Sequence, residues 1–322
     1  MKNTLFLLIS LLFGQIVSFA QVQQTKTVNL MGSVFQIIVV DRDSVSALQN
    51  IKKAITEISR IENLISEWQP HTQISQVNQN AGIKPVKVDA EVFYLTKRAL
   101  MFSEISNGAF DISIVAMDKI WKFDGSMQKL PSKRTIRKSI EKVDYRNIIL
   151  DSVNSSIFLK KKGMKIGFGA TGKGYAADQA RIVLLKEGVK SGIINAAGDI
   201  ATWGTQANGE PWRLGINNPF ETGEIIEILE FSGNKAVTTS GSYEKYAEIN
   251  QKRYSHIINP KTGIPSSGIT SVTVMGKNAE MCNGFSTSIM VLGVKKGSKL
   301  MRKFPQYQYL ILTDKAQILK NF

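Results

Sequence analysis

The stretch GFGATGKGYAAD, residues 167–178, fits two patterns that hold nucleotides in other proteins. It fits G-x-x-x-x-G-K, but a P-loop needs a Ser or Thr hydroxyl for Mg²⁺ at the next position, which here is Gly174. It also fits G-x-G-x-x-G, which needs a buried strand before it and an acid about 20 residues after it. The charged LKKKGMKI is a poor buried strand, and Glu187 and Asp199 only bracket the acidic position. A tight strand-to-helix turn explains the same glycines without any nucleotide.

Two histidines are present, and they lie in different contexts. His71 lies in the polar loop WQPHTQIS and is interpreted as a surface residue. His256 lies in KRYSHIINPKTGIP, between a predicted strand and a predicted turn, and is the candidate for a group that exchanges a proton near neutral pH. A satisfied structural histidine is the alternative. The sequence lacks the G-x-S-x-G pattern of Ser-His-Asp hydrolases of the α/β type.

A third group of candidates lies in CNGFSTSIMVLG, which is predicted to be helical. Asn283 and Thr287 are four residues apart, so their side-chain oxygens share one helix face, and Ser286 lies beside them. Oxygen ligands suit a hard cation such as Mg²⁺. Helix capping or exposure to solvent is the alternative role for such residues.

These candidates must be positioned by the helices and strands that the apolar periodicity predicts. We predict a strand or hairpin over residues 27–40 that is interrupted at Met31 and Gly32. A hairpin is predicted for NIILDSVNSSIFLK and a final strand for YQYLILT. The predicted helices run from Val45 to near Trp68 and Pro70, from Asp89 to Gly108, from Gly174 to Gly188 and from Ala279 to Gly293. Helices scattered among hairpin-like strands predict an α+β fold, a single compact domain of mixed, mostly antiparallel sheets with packed helices.

The N-terminus has the features of an export signal. Lys2 precedes the apolar run LFLLISLLF, and SFA precedes Gln21. A charged start, a short apolar run and a small-residue cleavage site predict a signal peptide over residues 1–20 and a mature domain over 21–322; a buried first helix is the alternative. The run has no cysteine after it that could carry a lipid. We therefore expect a periplasmic protein without stable membrane insertion, in a compartment where ATP and NAD are scarce.

The composition restricts the partners. The formal net charge is +15, and 15 − 1 = +14 remains once Lys2 is removed. Such a surplus favours polyanions, acidic membranes or acidic partners, and a solvated basic surface is the default interpretation of charge spread along the chain. The sequence has no zinc-ligand spacing and no RNA-binding pattern, and its lysines are dispersed along the chain, so nucleic-acid binding is not predicted. The single Cys282 permits no internal disulfide and is predicted to be buried.

Eight segments, taken in order, carry a family resemblance. They are MGSVF, LISEWQPHTQISQVNQNAG, GAFDISI with IWKFDG after it, GKGYAAD, INAAGDI, TTSGSY, YSHIINPKTGIP and NGFSTSIMVLG. This series resembles the FAD:protein FMN transferases, the ApbE-type flavinylating enzymes, from Met31 to about Gly293. The resemblance implies that the glycine-rich turn holds FAD rather than ATP or NAD.

The same resemblance implies an activity. Such enzymes use Mg²⁺ and FAD, and they transfer FMN to a Thr or Ser hydroxyl of a partner protein, here an exported or membrane protein, with release of AMP. Two alternatives stay open for this chain. One is an FAD pyrophosphatase, in which water replaces the protein hydroxyl, and the other is a non-enzymatic periplasmic flavin-binding protein.

The resemblance also implies site residues. The FAD contacts that it implies are Met31, Trp68, Ala109, Phe110, Asp111, Lys173, Gln179 and Ile257. The implied Mg²⁺ ligands are the backbone carbonyl of Ala176 and the side chains of Asn283, Ser286 and Thr287. His256 is the candidate general base. Asp199 is expected to orient that base, to bind an FAD hydroxyl or only to cap the NAAGD turn.

Four positions depart from the family pattern. Gly167 stands where relatives usually have Asp, AAGD stands for AGGD, and Trp68 stands for the usual Tyr, which also offers an aromatic face. Asn283 stands where relatives usually carry Asp. Asn keeps an oxygen but lacks the negative charge, so we expect a weaker metal site.

Overall fold

A computed structural model describes residues 21–221, 223–243, 245–250 and 252–322. The signal peptide predicted for residues 1–20 lies outside the described residues, as does its cleavage site after Ala20. None of the helices in the described ranges has both the length and the apolar character needed to cross a bilayer.

The described chain forms six α-helices, two short 3₁₀ helices and a set of mostly antiparallel strands. The helices are α1 (Ser44–Ile65), α2 (Gln73–Gln79), α3 (Ala90–Ile105), α4 (Lys133–Ser139), α5 (Gly172–Lys186) and α6 (Ala279–Met301), with 3₁₀ turns at Ile112–Ala116 and Tyr145–Asn147. The strands are β1 (Val22–Leu30), β2 (Ser33–Asp41), β3 (Val86–Lys87), β4 (Ile148–Asp151), β5 (Ser156–Leu159), β6 (Ser191–Ala196), β7 (Asp199–Trp203), β8 (Trp212–Asn217), β9 (Ile225–Phe231), β10 (Lys235–Gly241), β11 (Tyr246–Ile249), β12 (Lys252–Ser255), β13 (Ile258–Asn259), β14 (Ile264–Pro265), β15 (Ile269–Gly276), β16 (Gln308–Thr313) and β17 (Ile318–Lys320). The predicted α+β fold is confirmed.

An eight-stranded antiparallel sheet organises the molecule, in the order β1-β2-β6-β7-β10-β15-β16-β17. Two of its hairpins have two-residue turns in which both residues have positive φ. These are Met31 and Gly32 (49° and 66°) and Ala197 and Gly198 (53° and 91°). Such turns match the right-handed twist of the paired strands. The interruption predicted at Met31 and Gly32 is therefore the turn of the β1–β2 hairpin.

Each strand of this sheet sends alternate side chains to opposite faces. Ala236 and Val274 belong to the main core beneath α1, α5 and α6, whereas Val237 and Met275 belong to a second core beneath the β8–β9 hairpin. On β7, Ala201 belongs to the main core. Since alternation places every second residue on the same face, it directs residue 199 toward the helices as well.

The first helix begins and ends at identifiable hydrogen bonds. The Asp43 carboxylate accepts from the Ser46 amide at 2.7 Å, which caps the helix start. The helix ends at Ile65, before the predicted end near Trp68 and Pro70, because Ser66 has an extended backbone. The backbone carbonyl of Ser66 accepts a hydrogen bond from the Thr72 hydroxyl at 2.6 Å instead of from a helical amide. The short α2 that follows was not predicted.

Helices α5 and α6 differ from the predicted limits. Helix α5 begins at Gly172, two residues before Gly174, and irregular chain rather than a strand precedes it from residue 160. The strand-to-helix turn considered for the glycines is therefore wrong. Helix α6 does not stop at Gly293, which adopts φ 76° and ψ 170°; it bends there and continues to Met301.

Gly174 allows α5 to pack against the start of α6. A Cβ at this position would lie 2.8 Å from the backbone carbonyl of Ala279 and 2.9 Å from the Glu280 amide. Backbone atoms cannot move aside as the end of a side chain can, so the two helices must separate to admit a methyl group. The glycine is required for close approach rather than for a positive φ.

We expect Gly174→Ala to lower the free energy of unfolding by about 1–3 kcal/mol, the usual cost of overpacking. Gly169→Ala in the same turn is the matched control, since a Cβ there meets no atom within 4 Å and the backbone has no positive φ. Urea unfolding of both variants measures the difference. Equal stability of the two would contradict the close packing of α5 on α6.

Candidate functional site

The carboxylate of Asp199 connects α5 and α6 at the edge of the main core. Its Oδ2 accepts from the Lys173 ammonium at 2.5 Å, and its Oδ1 accepts from the Asn283 side-chain amide at 2.6 Å. Asp199 is 2 % exposed, so this charge is held away from water. A buried carboxylate is stable only when it is paired and hydrogen-bonded, and these two contacts supply both conditions.

Asn195 caps the turn between β6 and β7, because its side-chain oxygen accepts from the Gly198 amide at 2.9 Å. The Asp199 carboxylate, in contrast, binds groups of α5 and α6. The expectation that Asp199 only caps the NAAGD turn is wrong.

The start of α5 has the features of an anion-binding site. The first amides of a helix lack intrahelical partners and carry partial positive charge. Lys173 adds a full positive charge in this first turn. The hydroxyl of Thr171, the N-cap residue, is buried and has no hydrogen-bond partner among the described residues. Unsatisfied donors beside a cation suit a phosphate group.

Oxygen atoms from α6 and β10 gather beside Asp199. Because the Asn283 amide nitrogen points to Asp199, its oxygen faces the Thr287 hydroxyl, which donates to it at 3.1 Å. The Ser286 hydroxyl lies 2.7 Å from that of Ser240 and donates to the backbone carbonyl of Asn283 at 3.1 Å. We call Lys173, Asp199, Ser240, Asn283, Ser286 and Thr287 the polar cluster.

The donor set of the polar cluster suits magnesium. Amide, hydroxyl and carboxylate oxygens are the ligands that Mg²⁺ prefers. The described residues contain no group of three His, Cys, Asp or Glu side chains arranged to hold a metal ion. A site here would therefore depend on the neutral oxygens of α6 with Asp199 beside them. Ala176 is buried in α5, where helix geometry directs its carbonyl along the helix axis.

His256 lies in the bend between β12 and β13, not within a strand. Both its backbone amide and its ring Nδ1 lie 3.1 Å from the Lys245 carbonyl oxygen. Because a carbonyl only accepts, this contact places the ring proton on Nδ1 and the lone pair on Nε2. Lys245 follows β10 by four residues, so one segment carries both Ser240 of the polar cluster and the anchor of His256.

Of the predicted flavin contacts, Met31 lies near the start of α5 and Trp68 lies on the surface. The side chain of Met31 comes within 3.7 Å of the position that a Cβ of Gly172 would occupy. Trp68 is 74 % exposed, and the Lys119 ammonium lies 5.0 Å from the centre of its ring. An aromatic ring this exposed has a face to offer to a planar ligand.

The segment of Ala109, Phe110 and Asp111 is buried and held by its own hydrogen bonds. The Asp111 carboxylate accepts from the Ser113 amide at 2.8 Å and from the Tyr145 amide at 2.9 Å. Burial raises the pKa of this carboxyl, whereas those hydrogen bonds lower it. Asp111 therefore fixes the path of the chain here, and an FAD contact by this segment stays a prediction.

The remaining predicted FAD contacts lie apart from Lys173. Gln179 lies six residues further along α5, which is about 120° around the helix axis at 3.6 residues per turn. Gln179 is not part of the polar cluster. Ile257 packs on the main core next to His256. Their contacts with FAD stay predictions.

Two residues of this region were not identified from the sequence. Ser240 lies in the TTSGSY segment but carried no assigned role. The Glu67 carboxyl carbon lies 2.9 Å from the position that a Cβ of Gly167 would occupy. Burial raises the pKa of Glu67. The Glu67 carboxyl group thus lies beside Gly167, and no local sequence pattern indicates this contact between residues distant in sequence.

The sheet and its packed helices form a fold already known from solved structures. The fold is similar to that of the ApbE protein of Thermotoga maritima, with a TM-score of 0.84, 28 % identity and coverage of 93 % of this chain and 97 % of that one. The flavin transferase ApbE of Vibrio cholerae has the same fold, with a TM-score of 0.82 at 21 % identity over 94 % of this chain and 97 % of that one.

Comparison of the sequence with known proteins identifies the family of this chain. The model of the ApbE family matches residues 31–311. An FAD:protein FMN transferase of Klebsiella pneumoniae is 30 % identical over 292 residues, which cover 90 % of this chain and 89 % of that protein. The chain therefore belongs to the ApbE family, as the resemblance predicted.

We expect Asn283→Asp to make the polar cluster depend on magnesium. The variant places a second carboxylate where the Asn283 amide now lies 2.6 Å from Asp199, and two adjacent buried carboxylates repel. The variant should have a lower Tm than the wild type without Mg²⁺ and gain more from added Mg²⁺. Asn283→Leu, which offers no oxygen, is the control. Equal Mg²⁺ responses in all three proteins would contradict a metal site here.

Proposed function

We propose that this protein transfers the FMN portion of FAD to a Thr or Ser hydroxyl of another protein, with the help of Mg²⁺ and with release of AMP. The observation that carries the proposal is the polar cluster at the start of α5, in a chain that belongs to the ApbE family. The cluster combines a cation with hard oxygen donors, and the amides at the start of α5 lie beside it; the transfer of a phosphate-linked group requires this combination.

The FAD pyrophosphate is proposed to lie at the start of α5. There the Thr171 hydroxyl is buried and without a partner among the described residues, and Lys173 is the nearest cation of the helix. Asp199 holds Lys173 at 2.5 Å and so fixes where its charge lies. A positioned ammonium beside helix amides stabilises the negative charge that shifts to the leaving phosphate.

The flavin ring is proposed to lie against Trp68. This side chain is 74 % exposed on the loop between α1 and α2, and Met31 lies near the start of α5. Stacking on an indole suits a flat, largely apolar ring system. The two contacts orient the flavin end of FAD, while Lys173 orients its phosphates.

Magnesium is proposed to be held by Asn283, Ser286 and Thr287, with the Ala176 carbonyl. When bound, it neutralises phosphate charge and helps to align the displacement. The contact of Asp199 with the Asn283 amide keeps the amide oxygen turned toward Thr287. Asp199 thereby arranges the oxygen donors on one side and Lys173 on the other.

His256 is proposed to take the proton of the acceptor hydroxyl. The hydroxyl oxygen forms a bond to the phosphorus of the FMN portion, the bond from that phosphorus to the AMP oxygen breaks, and the hydroxyl proton passes to Nε2 of His256. The Lys245 carbonyl holds the proton on Nδ1, so Nε2 is the basic atom of the neutral ring. A well-placed base contributes about 10²–10⁴-fold to such a step.

The acceptor is proposed to be an exported or membrane protein. The support is the charged start, apolar run and small-residue site before Gln21 in the sequence. N-terminal sequencing of the protein recovered from a periplasmic extract tests this part. A start near Gln21 supports it, and an intact Met1 in the cytoplasmic fraction contradicts it.

The activity is tested by incubating the purified protein with FAD, Mg²⁺ and a Thr-containing acceptor domain, followed by mass spectrometry. Transfer adds the mass of FMN, less water, to the acceptor and produces AMP. Free FMN with AMP and an unmodified acceptor would instead show an FAD pyrophosphatase. Bound but unchanged FAD would show a flavin-binding protein.

We expect His256→Asn to retain FAD binding and to lose transfer by about 10²–10⁴-fold. The Asn amide can still donate to the Lys245 carbonyl, as Nδ1 does, but it offers no basic nitrogen in place of Nε2. Single-turnover transfer at saturating FAD measures the chemical step, and flavin fluorescence measures binding. Unchanged transfer would assign the base role to a carboxylate such as Asp199.

A further inference from the structure

A cleft of about 450 Å³ lies beside the second part of α6. This part follows the bend at Gly293. The facing walls come from the segment after α3, which includes Asn107 and Ala109, and from the end of β13 and the turn after it, which include Asn259 and Lys261. We name it the lysine cleft after four of its lining residues, Lys261, Lys296, Lys299 and Lys303.

The charge of the lysine cleft is not neutralised by the protein. All four lysines are exposed, and no carboxylate lines the cleft. Within the described ranges, none of the four forms an ion pair. Ammonium groups gathered around a concave surface focus a positive field and attract anions.

The dipole of α6 alone does not explain why four lysines line the cleft. Cations near the end of a helix interact favourably with its dipole, which accounts for Lys299 in the last turn of α6. Lys261 comes from a separate segment and packs over Gly108, with its Cε 3.0 Å from the position of a Cβ there. Two distant parts of the chain therefore direct lysines into one cleft.

The cleft adjoins the proposed reaction site. Val291 lines the cleft and lies four residues after Thr287, or about 6 Å along the helix at 1.5 Å per residue. Asn259 lines it and lies three residues after His256. A ligand in the cleft would thus lie next to the place where the acceptor hydroxyl must react.

The FAD pyrophosphate does not account for the four lysines, because Lys173 and the start of α5 are already proposed to bind it. Ala109, one of the implied FAD contacts, also lines the cleft, but an uncharged part of FAD beside it would leave the four lysines without an anionic partner. The acceptor protein is the other substrate that must approach this side of the site. An anion for the lysine cleft is therefore to be sought in the acceptor.

We propose that the lysine cleft binds an acidic segment of the acceptor protein, close in sequence to the hydroxyl that receives FMN. This inference rests on the proposed function for the identity of the partner. Aspartate or glutamate side chains of the segment would pair with the lysines, while the amides of Asn107 and Asn259 would donate to its backbone. Complementary charge of this kind governs the choice and rate of association of partners.

The test compares two labelled peptides of equal length, one with Thr flanked by four aspartates and one with asparagines in their place. Binding is followed by fluorescence anisotropy, without any need for transfer. The proteins are the wild type, the charge-reversed triple variant Lys296→Glu/Lys299→Glu/Lys303→Glu, and a charge-retaining triple variant with Arg at the same positions. A matched control reverses three exposed lysines elsewhere, Lys26, Lys52 and Lys190.

We expect the wild type to prefer the acidic peptide by about tenfold or more. This preference should disappear in the triple Glu variant and persist in the Arg variant and in the matched control, with FAD binding close to normal in all. Equal binding of both peptides to the wild type, or equal losses in the two charge-reversed proteins, would overturn the proposal. A loss of FAD binding confined to the cleft variant would also overturn it, since the cleft would then hold FAD.

The proposed function and the assignment of the lysine cleft can each be contradicted without contradicting the other. Acidic-peptide binding by a protein that transfers no FMN would contradict the proposed function and leave the cleft assignment standing. Transfer that is indifferent to the acidic residues would contradict the cleft assignment and leave the proposed function standing.

Discussion

The buried carboxylate of Asp199 is the constraint on which the candidate site depends. It lies at the first position of β7, and its two oxygens bind groups from two different helices. Removing one partner of such a buried pair costs about 3–5 kcal/mol, because the other charge is left uncompensated. The position of Lys173 on α5 and the orientation of Asn283 on α6 are therefore coupled through one side chain.

That coupling requires the two helices to lie close together on one face of the sheet. Gly174 permits the contact of α5 with the backbone at the start of α6. The buried Asp178 strengthens it, since its carboxylate accepts from the Glu280 amide at 3.0 Å and pairs with Arg181 at 2.9 Å. Arg181 donates in turn to the Lys235 carbonyl at the start of β10. Packing and polar contacts thus fix the same geometry.

Local sequence patterns predict the parts of this fold that depend on local interactions. The interruption predicted at Met31 and Gly32 is the β1–β2 turn, and the helix predicted from Asp89 to Gly108 is present as α3, from Ala90 to Ile105, although the Asp89 side chain forms no cap hydrogen bond. The continuation of α6 beyond Gly293 was missed because a glycine that bends a helix has the same local pattern as one that ends it.

In the candidate site, too, contacts between residues close in sequence were predictable and contacts between distant residues were not. Asn283 and Thr287 were grouped from their helical spacing, and their side chains do contact each other. The link from Asp199 to Lys173 and Asn283, and the approach of Glu67 to Gly167, join residues distant in sequence. Their meeting is decided by the order of strands in the sheet and by helix packing, which no short pattern specifies.

The central claim is that Asp199 joins the proposed phosphate-binding side and the proposed metal-binding side of the site into a single unit. Titration calorimetry of FAD at increasing Mg²⁺ concentrations, with the wild type and Asp199→Asn, tests it most directly. The account predicts that Mg²⁺ increases the FAD affinity of the wild type and that this increase is largely lost in the variant. An equal effect of Mg²⁺ on both proteins, or no effect on the wild type, would contradict it.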